Sequence, residues 1–96
     1  MAGPHCKTGA NFRKERAKEI QENLRGLHLR NLEYAYSPQK DVWNIYVYQP
    51  SIPAHLLDVS NIMKRFDYYQ AAGTEGIYDY SGDEKQLKGI YVKFIR

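Results

Sequence analysis

Two segments of the sequence alternate between large apolar residues and other residues, and this pattern constrains the fold more than any other feature. The segments are 42–49 and 86–95, and their apolar rows are Trp43, Ile45 and Val47 in the first and Ile90, Val92 and Phe94 in the second. Successive side chains of a β-strand point to opposite faces of its sheet. Each segment is therefore predicted to be a strand with one buried and one outward row.

A turn and a shorter strand-like run precede each of these segments. Residues 27–36 contain alternating Leu32, Tyr34 and Tyr36, and the turn at 37–41 contains a proline. Residues 77–80 form the corresponding run before a turn at 81–85. Proline, glycine, serine and aspartate in such positions favour tight turns. The sequence thus predicts two β-hairpins.

A helix is predicted before each hairpin. In residues 11–25, Ala17, Ile20 and Leu24 recur at helical spacing, and Gly26 suits the end of a helix. The second helix is predicted over 53–72, with Gly73 as its C-cap. Its apolar arc consists of Leu56, Val59, Ile62, Met63, Phe66 and Tyr69.

The two halves of the chain resemble each other in order and spacing. Residues 34–37 (Tyr-Ala-Tyr-Ser) are matched 44 positions later by 78–81 (Tyr-Asp-Tyr-Ser). Residues 45–47 are matched 45 positions later by 90–92, and both segments read Ile-Tyr-Val. Tyrosine, valine and isoleucine are common in strands, so such matches also arise independently. We predict a flexible arm at 1–9 and one domain at 10–96, with pseudo-repeat units of about 10–49 and 50–96. The predicted fold is an α+β two-layer sandwich, α-β-β-α-β-β, with a four-stranded antiparallel sheet covered on one face by two helices.

Length and charge bound the remaining possibilities. The chain has 96 residues, which is one domain, and no apolar run near the roughly 20 residues that span a bilayer. Its single cysteine, Cys6, cannot form an internal disulfide, which favours a reducing compartment such as the cytoplasm. Residues 1–30 carry seven basic and three acidic groups, whereas the other 66 residues carry seven and eight. This asymmetry is compatible with an anionic partner and equally with a solvated helix face.

The sequence contains no recognisable catalytic or metal-binding motif. Glycine-rich phosphate loops and nucleophile elbows are absent. His5, Cys6, His28 and His55 do not have the spacing of zinc ligands. The acidic residues around 75–84 bracket a turn, where carboxylates are simply well solvated. We therefore expect no catalytic residue, no metal and no cofactor.

Two sets of residues are candidates for binding. The outward rows of the strands are predicted to form a tyrosine-rich sheet face, although cross-strand aromatic pairs also stabilise sheets without a partner. This predicted face consists of Tyr34, Tyr36, Tyr46, Tyr48, Tyr91 and Lys93. The second group, called the basic set, consists of Lys7, Arg13, Lys14, Arg16 and Lys18. Such clusters bind phosphates or acidic partners.

Three functions fit these features. The first is a non-catalytic protein-binding regulator or inhibitor that uses the tyrosine face; phages and mobile elements make small domains of this kind, including anti-CRISPR proteins, and this comparison is an analogy. The second is a nucleic-acid-binding protein that uses the basic set and the tyrosine face. The third is a small-molecule sensor or enzyme with a cleft between the two units. The expected partner is a protein or a nucleoprotein complex, with nucleic acid as the alternative and no membrane; the aromatic face also permits a homodimer.

Overall fold

The computed structural model describes residues 9–96, so residues 1–8 of the predicted arm lie outside the described part of the chain. The elements are α1 (Gly9–Arg25), β1 (Leu32–Ser37), β2 (Val42–Tyr48), α2 (Ile52–Arg65), β3 (Tyr69–Gln70), β4 (Glu75–Asp79) and β5 (Gln86–Ile95). All strand pairs are antiparallel and belong to one open sheet. The α+β class is confirmed.

The long strand β5 organises the sheet. One side of β5 pairs with β2, which in turn pairs with β1. The other side pairs with both β4 and the short strand β3. The described sheet therefore has five strands and not the four that were predicted. The additional strand is β3, whose two residues pair with β5 before the second hairpin begins.

The second helix is shorter than the sequence pattern indicates. It ends at Arg65, and the N–H groups of Phe66 and Asp67 donate to carbonyls of its last turn. Asp67 adopts φ of 64°, in the left-handed region, and this turns the chain away from the helix axis. Tyr68 consequently enters the core with 1% exposure, whereas Tyr69, predicted on the apolar helix arc, lies in β3 and is exposed. Gly73 is not a helix cap.

The alternation of β2 and β5 divides the sheet into two faces. On the inner face, Ile45 lies opposite Val92 and Trp43 lies opposite Phe94, and all four side chains are buried. The residues between them, including Tyr46 and Tyr91, are partly exposed and lie on what we call the outer face. The rows predicted for these two strands are confirmed.

Among residues 9–96, the inner face of the sheet packs into one hydrophobic core. Buried side chains of β2 and β5 form one cluster with residues of both helices, among them Ile20, Leu24, Val59, Ile62 and Met63. Full burial of one such aliphatic side chain contributes roughly 1.5–3 kcal/mol. The pseudo-repeat stays a prediction, since β3 in the second half has no counterpart in the first.

Neither described helix combines the length and the apolar character that crossing a lipid bilayer requires.

Candidate functional site

A stacked pair of tyrosines lies on the outer face. Tyr46 in β2 and Tyr91 in β5 are direct cross-strand partners, with ring centroids 4.8 Å apart and ring planes 25° from parallel. The Tyr91 hydroxyl donates a hydrogen bond of 2.7 Å to Oδ1 of Asn44. Stacking and this hydrogen bond together fix the orientation of the pair.

Tyr48 extends this aromatic surface along β2. It lies opposite Gly89, and a Cβ atom added to that glycine would come within 2.8 Å of Cδ1 of Tyr48. The ring therefore packs directly on the glycine backbone. The Lys88 ammonium lies 5.9 Å from the centroid of the Tyr48 ring. Partial burial and the nearby charge of Glu33 raise the pKa of Tyr48.

Charges of both signs surround these rings. Glu33 pairs with Tyr46 across the sheet and Glu75 pairs with Tyr91, so both carboxylates lie on the outer face. Lys93 follows Tyr91 by two positions and therefore shares its face. The Lys88 ammonium reaches the Tyr48 ring, so the charged groups beside these rings are two lysines and two glutamates, and their charges balance.

A concavity adjoins the stacked pair. It has a volume of about 320 Å³ and lies between β5 and the loop that joins β3 to β4. Its lining residues are Ala72, Gly73, Glu75, Tyr91 and Lys93. A small polar or charged group would fit there between the lysine and the glutamate.

Two of the tyrosines predicted for this surface lie on the opposite side of the sheet. Tyr34 pairs with Ile45 and Tyr36 pairs with Trp43, so both belong to the inner face and pack against the core. Their rings lie 6.4 Å and 5.0 Å, respectively, from that of Trp43. Their placement on the face of Tyr46 was wrong. Along β1, Tyr34 and Tyr36 alternate with Glu33 and Ala35 and are in the same row as Leu32, which is buried. This alternation is the sequence signal that would have placed both tyrosines on the inner face.

Asp41, which ends the turn between β1 and β2, accepts hydrogen bonds from three elements. The Tyr36 hydroxyl donates at 2.6 Å, the Tyr68 hydroxyl donates to the same oxygen, and Arg16 of α1 lies 3.3 Å from both carboxylate oxygens. The Arg16 guanidinium also lies over the ring of Tyr68, 5.5 Å from its centroid. These contacts join α1, the first hairpin and the segment after α2.

The charge state of this network follows from its hydrogen bonds. Burial alone would raise the pKa of Asp41, but donation from Tyr36 and Tyr68 together with the charge of Arg16 lowers it. Burial and the hydrogen bond to the carboxylate raise the pKa of Tyr36 far above its usual value. The same two causes raise the pKa of Tyr68. Asp41 is therefore ionised and both phenols are neutral at pH 7.

The described members of the basic set do not form one exposed patch. Arg16 is largely buried and paired with Asp41, so it is a structural cation. Arg13 donates to the carbonyl of Pro38 at 3.4 Å and remains exposed. Lys14 and Lys18 are exposed on α1, and Lys7 lies outside the described residues.

Lys14 and Lys18 line a groove between α1 and the β1–β2 hairpin. The groove has a volume of about 300 Å³. Its other lining residues are Ala17, Gln21, Tyr34, Ala35, Tyr36, Pro38 and Trp43. Members of both predicted binding sets thus meet here, on the side of the sheet opposite the outer face.

Sequence reasoning missed the roles of Asp41 and Tyr68. Asp41 looked like an ordinary turn residue, and Tyr68 lay within a predicted helix. The two residues are 27 positions apart, and no local pattern connects them. Within residues 9–96, no group of three or more histidine, cysteine, aspartate or glutamate side chains is arranged to hold a metal ion.

Comparison with known proteins finds no matching family model, no matching curated protein and no matching solved structure.

Proposed function

We propose that this chain is a non-catalytic protein-binding regulator or inhibitor that recognises its partner through the outer face of the sheet. The observation that supports this proposal most directly is the stacked Tyr46–Tyr91 pair, held in place on a partly exposed sheet face. Aromatic side chains are enriched at the energetic centres of protein interfaces.

The rigidity of this surface favours binding. Tyr91 is hydrogen-bonded to Asn44, and Tyr48 packs on Gly89, so the rings are already ordered in the free protein. Ordering a side chain on association costs about 0.5–1.5 kcal/mol, and a preformed surface avoids much of that cost. Tyrosine also offers a large contact area with few rotatable bonds.

The charge of the surface favours a protein over a nucleic acid at this face. Two lysines and two glutamates lie around the rings, whereas a phosphate backbone requires a net positive surface. Charges of both signs at the edge of an aromatic centre match the usual arrangement of a protein interface.

The test is to truncate the stacked pair and measure partner affinity. The tagged wild-type chain captures its partner from native host cells, and the purified partner is then titrated against wild type and Tyr46→Ala. Tyr46→Ala should weaken binding by about 2 kcal/mol or more, as expected for a central aromatic anchor. Urea unfolding of both proteins shows whether the variant remains folded.

The matched control is Tyr80→Ala, because Tyr80 is 69% exposed and lies beyond the end of β4. This variant should bind the partner as wild type does. Equal affinities of wild type and folded Tyr46→Ala would refute the proposed surface.

A further inference from the structure

We propose that the groove between α1 and the β1–β2 hairpin binds single-stranded nucleic acid, with one base against its aromatic wall and the flanking phosphates at its lysines. This second site lies on the other side of the sheet from the outer face. It does not depend on the function proposed above.

The groove has two chemically different walls. Tyr34 and Tyr36, both partly exposed, and the buried Trp43 form the aromatic wall. Lys14 and Lys18 form the basic wall, and none of the lining residues is acidic. Unpaired bases stack on aromatic side chains while cations follow the phosphates.

The lysines are available to an anion. They are four residues apart on α1 and therefore lie on the same side of the helix. Both are exposed, and neither forms an ion pair within the described part of the chain. Arg13 reaches the carbonyl of Pro38, another lining residue, so a third cation stands next to the groove.

Trp43, which also lines the groove, carries a buried donor without an acceptor among residues 9–96. The residue is only 2% exposed, and its indole Nε1 has no hydrogen-bond acceptor in the described structure. A buried donor without an acceptor is unfavourable, and such groups are rare in folded proteins.

The size and composition of the groove select a single strand over other anions. A volume of about 300 Å³ accommodates one base and not an element of a folded protein. A duplex keeps its bases stacked inside and would leave the aromatic wall without a contact. An acidic peptide would use the lysines and likewise make no stacking contact with Tyr34.

The experiment measures binding of the full chain to the oligonucleotide dT8 through the fluorescence of Trp43. Trp43 is the only tryptophan, so the signal originates in the groove itself. Saturable quenching is expected, and three phosphate contacts should weaken binding about 20-fold between roughly 50 and 200 mM salt. Free thymidine monophosphate should bind far more weakly than dT8, because it offers only one phosphate.

Two variants examine the two walls separately. The double variant Lys14→Ala/Lys18→Ala should reduce the slope of log affinity against log salt by about 1.4, at about 0.7 for each lost phosphate contact. Its matched control, Lys64→Ala/Arg65→Ala, removes two exposed cations from the end of α2 and should leave the slope unchanged.

Tyr34→Leu tests stacking while keeping an apolar side chain against the core. Tyr34→Leu should weaken dT8 binding at least fivefold. Tyr34→Phe should bind dT8 as tightly as wild type does, because the ring and not the hydroxyl stacks on the base. If Tyr34→Leu unfolds, the salt slopes of the lysine variant and its control still decide the question.

Four results would each overturn the proposal. These are no saturable quenching at low salt, an unchanged salt slope in the Lys14→Ala/Lys18→Ala variant, monophosphate binding as tight as that of dT8, and equal competition by a poly-glutamate peptide. None of them bears on the affinity of the outer face for a protein, so the two proposals can fail separately.

Discussion

Asp41 shows how one residue can join distant parts of this small fold. Its carboxylate accepts hydrogen bonds from Tyr36 and Tyr68 and faces the Arg16 guanidinium, and its backbone has φ of 54°. Aspartate and asparagine tolerate this left-handed conformation better than most residues. The position therefore requires both a negative charge and an unusual backbone geometry.

Replacing Asp41 with Asn separates these two requirements. Asn keeps the backbone preference and removes the charge, so we expect a loss of about 1.5–3 kcal/mol in the free energy of unfolding at pH 7. Asp67→Asn is the matched control, because Asp67 also has positive φ, at 64°, but its side chain is 74% exposed. That change should cost less than about 1 kcal/mol. Urea denaturation of both variants and wild type provides the comparison.

The effect of Asp41→Asn should also depend on pH. The pKa of Asp41 is lowered in the folded state. Its stabilising contribution is therefore complete above the ordinary aspartate pKa of about 3.9 and is lost as the pH falls through the folded-state value. The difference between wild type and variant should shrink below about pH 4. A difference that stays constant from pH 7 to pH 3 would show that the charge of Asp41 is not what stabilises the fold.

The sequence predicted individual residues well only where one strand determines their position. Tyr46, Tyr48 and Tyr91 alternate with buried aliphatic residues, and this places them on the outer face. Asp41 and Tyr68 meet only after the chain has folded, so their contact leaves no periodic signal. Arg16 looked like one more surface cation for the same reason.

Among the elements, β5 depends on a close backbone approach at Gly89. A Cβ atom there would lie 2.7 Å from the carbonyl oxygen of Val47, within the neighbouring strand. The pairing of β4 with β5 is also irregular at this point, where the register shifts between Ile77 and Tyr78. Glycine lets β5 stay close to β2 while the second hairpin bends.

Gly89→Ala should therefore destabilise the sheet. Overpacking of this kind costs about 1–3 kcal/mol, because backbone atoms cannot move aside as a flexible side chain can. Gly82→Ala is the control: Gly82 lies in the turn before β5, and a Cβ atom there would meet nothing within 4 Å. Thermal unfolding should show a lower midpoint for the first variant and little change for the second. Equal midpoints would show that β5 can shift to accommodate the methyl group.

The positions of strands and helices could be predicted where the spacing of apolar residues and the turn residues indicate the same boundary. The 86–95 strand and the 42–49 strand were found within one residue of their observed ends. The end of α2 was missed because Phe66 and Tyr69 continue its apolar period, and the left-handed backbone at Asp67 leaves no periodic signal in the sequence. The two-residue strand β3 is too short to show any alternation.

At the scale of the whole molecule, the two sides of the sheet have different surface chemistry. The outer face combines tyrosines with balanced charge, whereas the groove beside α1 combines aromatic rings with exposed lysines. Strand alternation produces this division, since each strand sends neighbouring residues to opposite sides. Our two proposals assign a protein partner to one side of the sheet and a single-stranded nucleic acid to the other.

Hydrogen exchange should reveal the same organisation of the sheet. Strands β2 and β5 are each paired on both sides, whereas β1 and β4 each have one neighbour. Amides in the middle of β2 and β5, such as those of Ile45 and Val92, should therefore exchange most slowly, at rates set by global unfolding. Amides of β1 and β4 should exchange faster. Greater protection in β4 than in β2 would contradict this hierarchy.

The position of β5 along the chain has a consequence for synthesis. β3 and β4 pair with no described strand except β5, and β2 obtains its second neighbour only from it. An isolated two-stranded hairpin is at best marginally stable in water, so the β1–β2 hairpin gains little stability before β5 is made. While residues 86–95 are still being translated or lie inside the ribosome, the emerging chain exposes an unpaired β2 edge of the kind that chaperones protect from aggregation.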